Sequence, residues 1–139
     1  MLRVSSQRGF TLLEILLAIS LLGIGLTVIM QQFSAGLRIA STSRDYTTAT
    51  IYAKQKIEEF LVEEEMEEKE ESGSFEDGYY WQVSITPYED YLEEEESDLF
   101  EYLPLEMYRV ESVVSWKEGE RERHISLVTL KTVKKKVGL

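Results

Sequence analysis

Hydrophobic positions along the chain fall into three regimes. From Phe10 to Met30 they are nearly continuous, and Glu14 is the only ionisable side chain among 21 residues. As a helix rising about 1.5 Å per residue, this stretch spans roughly 30 Å, the thickness of a bilayer's hydrocarbon core. From Gln31 the pattern is that of an amphipathic helix. Tyr46, Ala49, Ala53, Ile57, Phe60 and Leu61 recur three and four residues apart, while Lys54, Lys56, Glu58 and Glu59 take the other faces. No Gly or Pro lies between Leu37 and Glu71, so one helix is predicted over about Thr11 to Glu68, with a break near Ser41 as the alternative.

Beyond Gly78 the period changes to two. Tyr79, Trp81, Val83 and Ile85 alternate with Tyr80, Gln82, Ser84 and Thr86 until Pro87 ends the run, which predicts a half-buried strand. A second strand over Leu105 to Trp116 puts Tyr108, Val110, Val114 and Trp116 on one face and Arg109, Glu111 and Ser115 on the other. Lys117-Glu118-Gly119-Glu120 reads as a tight turn into a third strand, Arg121 to Val133. The fold class is therefore α+β: a long N-terminal helix, its first half transmembrane and its second half laid on a small antiparallel sheet of three or more strands.

Composition narrows what such a chain does. After an anchor and stalk, 139 residues leave room for one small domain. A net charge of −11 argues against a nucleic-acid partner, because binding a polyanion requires clustered cations. The absence of cysteine excludes disulfides, thiol catalysis and Cys-ligated zinc. His124 is the only histidine and reads as an outward strand residue, and no glutamate lies beside a nucleophile or a phosphate loop, so no catalytic constellation forms.

Two acidic runs raise calcium as a cofactor. Glu58 to Glu71 holds nine glutamates against Lys69, and Glu93 to Glu96 with Asp98 forms the second. Neither has the spacing of a calcium loop, so repelling, solvated loops are the favoured reading and calcium the weaker one. Ser72-Gly73-Ser74 and Asp77-Gly78 mark the first loop. Lys131, Lys134, Lys135 and Lys136 read as a solvated tail, with acidic headgroups or an acidic neighbour as the alternative.

The N-terminal arrangement differs from a secretory signal, whose small-residue cleavage site follows the apolar segment. Here the break, Gly9, precedes it. The run Arg8-Gly9-Phe10-Thr11-Leu12-Leu13-Glu14 before a long apolar stretch resembles the prepilin-type signal of type IV pilins and type II secretion pseudopilins. The resemblance covers about Arg8 to Met30. It implies a leader, residues 1–9, removed by prepilin peptidase between Gly9 and Phe10, with Phe10 N-methylated. It further implies a transmembrane and assembly helix at 10–30 and a soluble periplasmic domain of pilin-like fold at 31–139. Glu14 would face the Phe10 amine of its own or a neighbouring subunit, which fits the cost of a lone carboxylate in lipid, about 2.5 to 3.5 kcal/mol at mid-bilayer on insertion scales.

Arg3 and Arg8 with no acid in the leader place the N-terminus in the cytoplasm, making a single-pass inner-membrane protein. Ala18, Ser20, Gly23 and Gly25 are small enough for close helix contact, although glycine is also simply common in membrane helices. Many pilins have a proline soon after the apolar core; here that region reads Gln31-Gln32. The short soluble part, the missing cysteine pair and the start Phe-Thr-Leu-Leu-Glu-Ile-Leu-Leu-Ala are similar to a minor pseudopilin of the subunit I type or a pilus-modification minor pilin. The resemblance implies a non-enzymatic filament subunit whose partners are other minor and major pseudopilins or pilins and the inner-membrane assembly platform. A single-pass anchored interaction module that does not polymerise is the alternative.

Overall fold

The computed structural model describes residues 8–88 and 102–136. They form one helix, α1 (Leu12–Leu61), and four strands, β1 (Lys69–Ser74), β2 (Tyr80–Pro87), β3 (Leu105–Glu118) and β4 (Arg121–Lys134). The α+β, pilin-like architecture expected from the sequence is present. The chain divides into two compact units, the first ending at Ser43 and the second beginning at Arg44.

In the first unit every helical residue from Leu12 to Ala40 is exposed, and the most apolar window of α1 has none of its residues buried within the chain. A soluble protein's core helix would be mostly covered. The hydroxyls in this stretch are satisfied inside the helix: Ser20 Oγ donates to Leu16 O at 2.8 Å and Thr27 Oγ1 to Gly23 O at 2.9 Å. That is what a polar side chain needs where water is absent. Helical structure continues through Ser41, so the alternative of a break there is not realised.

In the second unit the last turns of α1 lie on an antiparallel meander of order β1-β2-β3-β4. Ala49, Ala53, Ile57 and Phe60 are its buried residues, four of the six that the helical spacing singled out. The sheet meets them with Val83 and Ile85 of β2 and Val110, Val114 and Trp116 of β3, all of them buried. Ala49 and Ala53 are completely covered beside Tyr79, Val114 and Trp116, so small residues let the helix approach a large aromatic pair. Tyr46 meets Trp116 edge to face with ring centroids 4.9 Å apart.

Three local readings need correction. The helix ends at Leu61, not near Glu68. Its last turn has no basic residue, and Glu63, Glu64 and Glu65 follow at once, so repulsion and the negative end of the helix dipole both oppose its continuation. The acidic stretch is nevertheless anchored: Met66 is buried against Ile57, Phe60 and Val83, and Lys69 Nζ binds both carboxylate oxygens of Glu63 at 2.9 and 2.7 Å.

Ser72-Gly73-Ser74 is not a loop but the end of β1, paired residue for residue with Gln82, Trp81 and Tyr80. Gly73 makes this possible. A Cβ there would lie 2.8 Å from the Trp81 indole, so only glycine lets the ring cover this edge strand.

The lysines are not a solvated tail either. Lys131 lies within β4 and its ammonium donates to the backbone carbonyls of Leu61 and Glu63, while Lys136 pairs with Glu65 at 2.9 Å. A cation from the sheet thus supplies the helix C-terminus with the charge its own last turn lacks.

Both turn readings stand. Gly78 has φ +87° in the β1–β2 connection, which Phe75 N–H closes onto Tyr79 O at 2.8 Å. Gly119 has φ +65° and no other residue of the Glu118–Arg121 turn has positive φ, the pattern of a type II′ hairpin. The acidic cluster Glu93 to Glu96 with Asp98 lies outside the described residues.

Candidate functional site

The start of α1 gathers the residues singled out by the resemblance. Arg8, Gly9, Phe10 and Thr11 precede the helix in non-helical backbone, and all four are exposed. Nothing lies within 4 Å of the position a Cβ at Gly9 would take. The Gly9–Phe10 bond is therefore exposed. Phe10 is 79% exposed and Leu12 84%, so nothing among the described residues covers the end of the helix.

Thr11, present in the motif, has a role there that the sequence reading did not assign. Its Oγ1 accepts the Glu14 backbone N–H at 3.2 Å, and its carbonyl accepts Ile15 N–H at 3.2 Å. Thr11 is thus the N-cap and Glu14 the third helical residue, the spacing of a capping box. The Thr-x-x-Glu signature ahead of an apolar run was the signal that reveals it. A carboxylate in the first turn is also favoured by the positive end of the helix dipole, typically by about 0.3 to 1 kcal/mol at an exposed site. Glu14 therefore has a local reason to be where it is, beside any cation another chain presents.

Ala18, Gly23 and Gly25 are exposed on the same helix, and no atom lies within 4 Å of a Cβ built at either glycine. Both stay helical. They leave shallow places on the helix surface without contacting anything in their own chain.

The second unit offers no competing chemistry among the described residues. A cleft lined by Asp45, Asp77, Tyr79 and Trp116 holds two carboxylates, and Asp77 accepts the Tyr52 hydroxyl. The hydrogen bond to Asp77, with burial added, pushes the Tyr52 phenol above its ordinary value, and burial does the same for Tyr79. Both phenols stay protonated donors at neutral pH, neither of them a ready base. His124 is exposed in β4 opposite Ser115. No three His, Asp or Glu among the described residues are grouped to hold a metal ion.

Comparison with known proteins agrees with the N-terminal geometry. Residues 4–30 match the family described as the prokaryotic N-terminal methylation motif. The chain is also similar to type II secretion system protein I of Xanthomonas campestris pathovar campestris, with 27% identity over 118 residues, 84% of this chain and 85% of that protein. No solved structure matches. The chain thus carries the prokaryotic N-terminal methylation motif and is similar along most of its length to type II secretion system protein I.

Proposed function

We propose that this chain is a minor pseudopilin, made as an inner-membrane precursor with a cytoplasmic N-terminus. Prepilin peptidase cuts between Gly9 and Phe10, Phe10 becomes N-methylated, and the retained helix packs with major and minor pseudopilins on the assembly platform. The product is a periplasmic pseudopilus that drives protein secretion. One observation carries the reading: an apolar helix with no cover in its own chain begins directly after an exposed glycine bond in non-helical backbone. Cutting there keeps the helix and leaves a new positive amine four residues ahead of Glu14. Ala18, Gly23 and Gly25 are then places where a neighbour's helix comes close.

The carboxylate's role is testable because the chain has no cysteine to interfere. With single cysteines at Ala18 or Gly25, oxidative crosslinking in membranes is expected to join wild-type chains to neighbouring subunits bearing matched cysteines. Glu14→Gln keeps the Thr11 cap but removes the charge, so it is expected to be processed normally and to lose most of the crosslinked product. Crosslinking equal to wild type would remove Glu14 from assembly. No crosslinked product from the wild type would leave a tethered module that does not polymerise.

A further inference from the structure

The two edges of the sheet are unlike. β1 is six residues long and carries Glu70 and Glu71, the short, charged form in which natural proteins protect an edge. β4, at the other edge, is 14 residues long without Pro or Gly. It pairs one to one with β3 from Glu118↔Arg121 to Leu105↔Lys134, so no bulge turns the edge away. From His124 to Leu130 it carries no formal charge at neutral pH, and Ile125, Val128 and Thr129 favour extended backbone. Its outer row of N–H and C=O groups has no neighbouring strand among the described residues. Val128 and Leu130 stand 49% and 46% exposed on the face away from α1, on the same side as the exposed Leu105 of β3.

Charge decides what fits this edge. β4 has Arg121, Glu122 and Arg123 at one end and Lys131 and Lys134 at the other, so each end is net positive, on a chain of net charge −11. Arg123 is held by Glu118 and Lys131 by the end of α1, whereas Arg121 and Lys134 are exposed. A second copy paired antiparallel over the whole strand would set Arg121 of each strand against Lys134 of the other, and a parallel copy in register would set each charge, Glu122 included, beside its twin. Both arrangements put like charges across the new ladder. We infer that the free edge of β4 is a docking site for an extended segment of another protein, uncharged and β-forming in its middle and acidic at both ends. Main-chain hydrogen bonds along His124 to Leu130 would hold it, with Val128 and Leu130 contacting its side chains and Arg121 and Lys134 its terminal carboxylates.

The test uses the full chain in neutral detergent and a fluorescent synthetic peptide of alternating valine and threonine with two glutamates at each end. Anisotropy is expected to show saturable binding. The same peptide with lysine ends, or with alternate backbone amides N-methylated along one edge, should bind at least roughly ten-fold more weakly. The double variant Arg121→Glu, Lys134→Glu, altered only at exposed positions, should lose a similar factor for the glutamate-ended peptide and recover binding of the lysine-ended one. Equal binding of both N-methylated forms, one for each peptide edge, no preference for acidic ends, or no saturable binding overturns the inference. So does a dimer of the chain, seen by sedimentation, that the peptide fails to compete away. The outcome is independent of whether the chain is processed at Gly9.

Discussion

At Glu14 two physical demands fall on one carboxylate. The helix start is satisfied within the chain, by the Thr11 hydroxyl on the Glu14 N–H and by the dipole acting on its charge. The second demand is a cation once the helix lies in apolar surroundings, and the Glu14→Gln crosslinking experiment addresses it separately because glutamine leaves the cap intact. Ser112 poses the opposite problem. It is completely buried on the helix-facing side of β3, and its Oγ has no hydrogen-bond partner among the described residues. A buried unsatisfied hydroxyl costs about 1 to 3 kcal/mol, so Ser112→Ala is expected to raise the urea midpoint, by roughly 1 kcal/mol of stability after losing some packing. A lower midpoint would mean that the hydroxyl has a partner.

Glu111, on the outer face, accepts Ser126 Oγ and Arg109, both at 2.6 Å, and these bonds hold its carboxyl below the ordinary carboxylate value. Near the unfolded value of 4.5 the folded chain therefore binds fewer protons than the unfolded one, and stability rises with pH there. The contribution is complete above that value and is lost as pH falls through the lower, folded one. Glu111→Gln is expected to be less stable than wild type at neutral pH, and the gap measured by thermal unfolding should close in acid. A gap of constant size across that range would mean that the carboxylate's charge contributes nothing.

At the scale of elements, the decisive contact is the one between β4 and the end of α1. Lys131 donates to the carbonyl of Leu61, which the helix cannot satisfy itself, and to that of Glu63 just beyond the helix end. Lys131→Met keeps the aliphatic stem and removes the donor, and is expected to cost on the order of 1 kcal/mol. Near-UV circular dichroism of the detergent-solubilised chain during unfolding measures it. An unchanged midpoint would return Lys131 to the status of a solvated side chain.

This contact also shows why the helix and three of the strands were legible while their surroundings were not. Ala49, Ala53, Ile57 and Phe60, like Val83, Ile85, Val110 and Val114, are buried on one face, so their spacing records the period of the element. β1 has no such record, because Lys-Glu-Glu-Ser-Gly-Ser is a strand through its pairing with β2 and the indole over Gly73. The helix end and the lysines depend on contacts some 70 residues apart, which no local pattern carries. At the N-terminus the motif was visible residue by residue, and only the capping role of Thr11 went unread, although Thr-x-x-Glu announces it.

Across the whole molecule, apolar surface and charge are kept apart. The residues from Ile15 to Ser43 contain no acid, whereas the region after Arg44 carries nearly all of the chain's negative charge. A uniformly exposed apolar helix is tolerable only in lipid or among other helices, and an acidic domain resists entering either. The pairing of these two parts favours a subunit held at a membrane by one helix with its folded domain in water. In the proposed function, cutting the single bond at Gly9 is what turns an anchor into an assembly subunit. Mass spectrometry of the protein extracted from membranes of cells with an active prepilin peptidase reads that bond directly. The account predicts an N-terminal peptide that begins at Phe10 and is one methyl group heavier than the sequence requires. A chain still carrying Met1, or one beginning beyond residue 30, would contradict it.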